Sequence, residues 1–320
     1  MPSTLHITNG ESVQLKETGL AGEVLTWQDA LHEGPVPARL TFEELRPIRA
    51  RFLAGISGQP EHSIVETLDQ RDRMLAGFAA FEEVVLWFEP DLYDQLQLIQ
   101  VLDWFSRQQR GRTTVSLITT DRYLGPMTPS ELRPLYPLRR PVTPSQFELA
   151  ARAWVAFTAA DPNSIVEFLQ EDTSALPYLL GAFQRHLEQF PSIRNGLSRT
   201  ERQILEIARA GPASVEHVFC AHRDLEERIF MGDLAFNTYI RGLANARVPL
   251  VTIPQEDKRF GNAELTITPA GSSVLRGEAD HVRLNGIDRW LGGVHLYGEN
   301  VWRWDGEHGR LASAAPSPLG

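Results

Sequence analysis

The chain has 320 residues, 42% of them hydrophobic and 22% charged, with a formal charge of −10. That length accommodates two domains with ordinary cores, and the acidic balance argues against a surface devoted to polyanions. Cys220 is the only cysteine, which excludes a disulfide framework and a cysteine-based metal site.

In chain order, Leu5-His6-Ile7-Thr8 reads as a first strand ending at the turn pair Asn9-Gly10, and a helix is expected from about Ser12 to Thr18, closed by Gly19. Gly22 to Trp27 reads as a second strand, followed by a polar loop from Gln28 to Pro35. Thr41 and Glu44 have capping-box spacing and open a helix; another is expected over Ser63 to Phe81. Glu83-Val84-Val85-Leu86-Trp87-Phe88 is continuous and apolar, as a buried parallel strand is. Leu92, Leu96, Ile99, Leu102 and Phe105 share one helical face, and Thr114 to Thr119 is the next strand. Alternation of this kind predicts an α/β domain over residues 1–125, with a small parallel Rossmann-like sheet and flanking helices.

Prolines crowd the stretch from Pro126 to Pro144, marking a proline-rich arm. Helical patterns follow, with Phe147, Ala151, Trp154 and Phe157 on one face, so residues 126–195 are expected to form an arm and a helical middle. From Asn195-Gly196 onward, Ser198 and Glu201 form a second capping box. Short helices over Val215–Phe219 and from Asp233 precede a hairpin of Val248–Ile253 and Ala263–Ile267. Three helices followed by a two-stranded wing is the winged-helix order, predicted for residues 196–310. Residues 311–320 read as a frayed tail. No signal-peptide pattern occurs at the N-terminus and no apolar window reaches membrane-spanning length, so a cytoplasmic protein without a membrane partner is expected.

Two segments, His6-Ile7-Thr8-Asn9-Gly10-Glu11-Ser12 and Trp27-Gln28-Asp29-Ala30-Leu31-His32-Glu33-Gly34-Pro35, resemble the N-terminal half of an uncharacterised bacterial family, domain of unknown function 1835. Leu86 to Gln95 is similar to a third stretch of that family. Asn285 to His295 resembles its usual C-terminal partner, another domain of unknown function. The resemblance implies an architecture and no activity.

In open parallel sheets ligands bind beyond the carboxyl ends of the strands, so three loops supply the candidate site. Asn9, Gly10 and Ser12 would place backbone N–H groups and a hydroxyl at a helix N-terminus, suited to a phosphate or carboxylate; a turn with a capping serine is the structural alternative. Asp29 and His32 could form a general base and its orienting carboxylate, with Gly34 beside them; equally, Asp29 can cap a turn while His32 stacks on it. Asp91 with Glu89 can act as acid and base or bind a metal, or Asp91 can simply cap a helix; Gln95 lies one turn on. Asp288, Arg289 and His295 form a further cluster, arginine being the natural bidentate partner of a phosphate or carboxylate. The alternative there is a surface ion pair beside a Trp290 anchor. Metal binding by His and carboxylates is possible, but no HExxH or comparable spacing supports it, so no metal site is assigned and the cofactor is unknown.

For DNA, the expected recognition helix offers Asn237, Thr238, Arg241 and Arg247, and Lys258 and Arg259 sit at the wing tip, where phosphate contacts fall. Leu197 to Arg276 contains ten Lys/Arg and ten Asp/Glu, without the basic excess such a surface normally carries. Two function classes follow. One is a hydrolase or transferase acting on a small anionic, phosphorylated or nucleotide-like ligand. The other is a one-component regulator that senses a ligand and binds DNA, with a protein-interaction module as the remaining alternative.

Overall fold

A computed structural model describes residues 4–253 and 260–313, in two compact units, 1–183 and 184–320. In the first, five strands form one sheet: β1 (Thr4–Thr8), β2 (Glu23–Thr26), β3 (Glu83–Trp87), β4 (Thr114–Ile118) and β5 (Arg140–Pro141). Their order is β2-β1-β3-β4-β5. The first four are parallel, with Ile7 opposite both Leu25 and Leu86, and Leu86 opposite Leu117; β5 runs antiparallel along β4. Alternation along the strands puts His6 and Thr8 on the face of Val85 and Trp87. That face packs on Val13, Leu15, Leu124, Met127, Leu132 and Leu135.

Helices α1 (Phe42–Ser57) and α2 (Glu61–Ala76) link β2 to β3, and α3 (Leu92–Ser106) links β3 to β4. The Thr41–Glu44 capping box forms as expected and starts α1. Helix α4 (Pro144–Thr158) packs along α3, and α5 (Asn163–Phe168) follows.

Two expectations change here. The stretch between β1 and β2 is too rich in turns for an α-helix: it makes bends and a four-residue 3-10 helix, Leu15–Thr18, closed by Gly19 at φ 72°. The proline arm is not a separate region either. Arg140 and Pro141 form the sheet's edge strand, where a proline's missing N–H costs no ladder hydrogen bond, and the first unit runs on to Phe183 rather than ending near 125.

In the second unit, α6 (Arg199–Ala208) begins at the Ser198–Glu201 capping box. It is followed by β6 (Ala213–Ser214), α7 (Val215–Asp224) and α8 (Asp233–Ala244), the last capped by Gly232 rather than by Asp233. Strands β7 (Val251–Thr252) and β8 (Glu264–Ile267) pair antiparallel, and β6 pairs with the other edge of β8. After α9 (Pro269–Arg276) and α10 (His281–Asn285) come two hairpins, β9 (Ile287–Gly292) with β10 (Val294–Gly298), and β11 (Arg303–Asp305) with β12 (Arg310–Ala312). Leu311 and Ala312 are therefore strand residues, not tail. Among the described residues, no helix is long and apolar enough to cross a membrane.

Candidate functional site

The strand order reverses between β1 and β3, since β1 is followed in the chain by the strand on one side and flanked by β3 on the other. In open parallel sheets the carboxyl ends of such a pair of strands are where ligand crevices form. Asn9 follows β1 there and Glu89 follows β3, and α3 begins three residues beyond it. Asn9, Glu89, Asp91 and Asp94 are each between 1% and 7% exposed.

These four side chains form one cluster. Asn9 Nδ2 donates to Asp94 Oδ2 at 2.8 Å, and the Glu89 N–H donates to Asp94 Oδ1 at 2.6 Å. Asp91 caps α3, its Oδ1 accepting from the Asp94 N–H at 3.2 Å. Glu89 Oε1 accepts from the N–H groups of Leu124 and Gly125, at 2.7 and 2.8 Å, so the loop after β4 also closes on the cluster. One oxygen from each of Glu89, Asp91 and Asp94 can be chosen so that all lie within 4.8 Å of one another. Gln95 Nε2 donates to the Glu89 carbonyl at 2.8 Å and braces this turn. Ser12 is exposed, with its hydroxyl beside Gly125.

The electrostatics follow from burial and from the mutual repulsion of the carboxylates. Desolvation first, and then repulsion from Glu89, pushes Asp91 up to about 7. Burial followed by the charges of Asp91 and Glu89 pushes Asp94 well above the carboxylate range, and burial raises Glu89. Among the described residues, no arginine or lysine forms an ion pair with any of the three.

The second loop serves a different purpose. Asp29 is 1% exposed and gives Oδ1 to Arg49, whose Nη2 and Nε lie 2.8 and 3.0 Å away. Arg49 also donates to the carbonyls of Glu33 and Ala30, at 2.8 and 3.0 Å, fastening the loop to α1. Arg71 lies 4.1 Å over the Trp27 ring and donates to the Trp27 carbonyl. His32 is buried with its ring edge-on to Tyr93 at 5.8 Å, and the Tyr93 hydroxyl donates to the Asn9 carbonyl at 3.4 Å. Gly34, at φ 76°, faces Phe52: an added Cβ would lie 2.4 Å from that ring. Gly10, half-buried in its turn, lies against Gln28.

Strand alternation divides the C-terminal cluster. Asp288 and Trp290 share one face of the β9–β10 hairpin with His295 and Tyr297, while Arg289 and Leu296 point the other way. On the outer face His295 Nε2 lies 2.7 Å from Asp288 Oδ1 and its ring stacks on Trp290 at 4.4 Å. On the inner face Arg289 pairs with Glu201 and lies 4.7 Å over the Tyr239 ring. Burial alone would raise Glu201, but Arg289 and His281 bring it down to about 2. Asp288, Arg289 and His295 thus do not converge on one ligand.

Of the residues expected to face DNA, Asn237 and Thr238 are half-buried, and the Thr238 hydroxyl donates to the Ala235 carbonyl. Arg241 is exposed and lies 4.4 Å over Phe260. Arg247 donates to the Leu284 carbonyl. Lys258 and Arg259 lie outside the described residues.

Sequence reasoning passed over Asp94, Arg49 and the Leu124–Gly125 turn. Asp94 sits three residues after a capping Asp91, and an acidic residue in a first helical turn is ordinarily explained by the helix dipole. Arg49 lies inside an amphipathic helix with nothing local to mark it as buried. The chain matches no protein-family model and no curated protein.

Proposed function

We propose that the first unit binds a small phosphorylated or nucleotide-like ligand in the crevice between the β1 and β3 loops and catalyses hydrolysis or group transfer on it. The observation that carries this reading is the convergence of Glu89, Asp91 and Asp94 at the point where the strand order reverses. Buried carboxylates are costly, and a fold keeps them where chemistry needs a proton acceptor or a cation. Asn9, Gly10, Ser12, Asp91 and Gln95 keep their place around the crevice. Asp29 and Gly34 support loops, and Arg289 belongs to its own ion pair. The resemblance to domain of unknown function 1835 goes with this reading, because its first and third stretches supply Asn9 and Glu89 to Gln95.

The test is a thermal-shift screen of the full chain against nucleotides and sugar phosphates with divalent cations present. Ligand at a hundred times its dissociation constant stabilises a fold by about 2.7 kcal/mol. A shift with a phosphorylated compound that is lost in Asp91→Asn is the expected result; the absence of any shift would sink the reading.

A second reading, a one-component regulator whose second unit is a winged helix, is favoured by one observation. Three helices precede an antiparallel β7–β8 pair, and Arg241 is exposed on α8. It predicts duplex binding whose affinity falls steeply with salt and weakens in Arg241→Ala. Binding of neither kind of ligand would favour a protein-interaction module.

A further inference from the structure

We infer that Glu89, Asp91, Asp94 and Asn9 form a binding site for one hard divalent cation, of the Mg2+, Mn2+ or Ca2+ class. As the source of positive charge for a phosphorylated ligand, the cation rests on the functional reading above. As a set of ligand atoms, it stands on the cluster's geometry alone.

The donor set is all oxygen, which is the preference of hard cations. Opposite ligands of such an ion are separated by twice the bond length, about 4.2 Å for Mg2+ and about 5 Å for Ca2+. Three carboxylate oxygens within 4.8 Å of one another fall inside the Ca2+ limit as they stand, and a smaller ion would draw them closer. The second observation is independent of the acids. Asn9 is 94% buried, by its 6% exposure, and its Nδ2 is held on Asp94, yet its Oδ1 has no hydrogen-bond partner. A buried, partnerless amide oxygen on a side chain bonded to Asp94 is a natural fourth oxygen for such an ion, because a buried acceptor left unmade is expensive.

The cation resolves a conflict in the functional reading. A phosphate brought to three carboxylates is repelled, and the stretch after β1 forms a 3-10 turn where a helix N-terminus would have supplied positive potential. An ion held by the carboxylates reverses the sign of the crevice and leaves outer positions for phosphate oxygens, as Mg2+ does when one or two carboxylates and a phosphate share it. The sequence hides the site because its ligands arrive from two strands, with Asn9 eighty-five positions from Asp94.

The experiment is a Mn2+ titration of chelator-treated full-length protein, followed by electron paramagnetic resonance and calorimetry, with no phosphorylated compound present. Wild type is expected to bind a single ion per chain, and Asp91→Asn to weaken it by at least about tenfold. Asparagine caps helices about as well as aspartate, so α3 keeps its start; circular dichroism checks the fold, and Glu89→Gln serves if Asp91→Asn does not fold. Competition by Mg2+ and Ca2+ identifies the preferred ion. No saturable Mn2+ binding in wild type, or unchanged affinity in both variants, would overturn the inference. Mn2+ binding without a response to any phosphorylated compound leaves the cation site standing and removes the ligand reading.

Discussion

Asp29 and Arg49 bury opposite charges at about the same depth, each 1% exposed, and the arginine spends its remaining donors on loop carbonyls. Such a pair adds little net stability when intact, but removing one partner strands the other in a dry interior at a cost of about 3–5 kcal/mol. Asp29→Asn is therefore expected to lower the unfolding free energy by an amount of that order, and Arg49→Met to do the same, in urea titrations followed by tryptophan fluorescence. A variant that melts like wild type but loses turnover would return Asp29 to the catalytic role its spacing from His32 suggested. At this scale Asp91 was legible in two ways at once, as a cap and as an acid, and the structure shows it capping α3 from inside a group of carboxylates. Asp94 was not legible, because what distinguishes it is its bond to Asn9 across the sheet.

Among elements, the parallel strands and the capped helices were readable because their signals are local. Val84 to Trp87 is apolar on both faces since both are covered, and Thr41 and Ser198 each find a glutamate three residues on. The loop from Gln28 to Pro35 is different: its path is set by α1. Gly34 takes a left-handed φ and leaves no room between its Cα and Phe52. Gly34→Ala combines backbone strain with overpacking and is expected to cost about 1–3 kcal/mol, measured as a fall in melting temperature. Adding Phe52→Ala should relieve the clash but not the strain, so the double variant recovers only part of the loss relative to Phe52→Ala alone. Full additivity would show that the ring contact is irrelevant. The same dependence on neighbours separates Arg289 from Asp288 and His295, since alternation along β9 sends adjacent residues to opposite faces.

At the scale of the molecule, burial chiefly holds several of the described histidines below their ordinary value, among them His6, His281, His222 at about 4 and His186 at about 3. Their neutral rings contribute stability that is complete above the unfolded value of about 6.5 and is lost as pH falls toward the folded value, because the unfolded chain takes up the proton first. The raised carboxylates Glu89, Asp91 and Asp94 act with the opposite sign, contributing most at low pH and losing that contribution as pH rises. Comparison with a variant separates the two. Between pH 7 and pH 5 wild type is expected to lose more melting temperature than His186→Leu, and parallel profiles would contradict the assignment of a buried neutral ring.

By itself the amino-acid sequence determined the elements whose cause lies within a few residues: four parallel strands, two capping boxes, the polar loops at the strand ends, and a second region of short helices and antiparallel strands. Only the tertiary structure decided that the proline stretch contributes an edge strand, that the segment after β1 makes a 3-10 turn, that Asp29 belongs to Arg49, and that Asn9 meets Asp94. Periodicity and capping are imprinted locally, by side chains one turn or one strand apart. A site at a reversal of strand order is assembled from residues that only chain folding brings within hydrogen-bond distance.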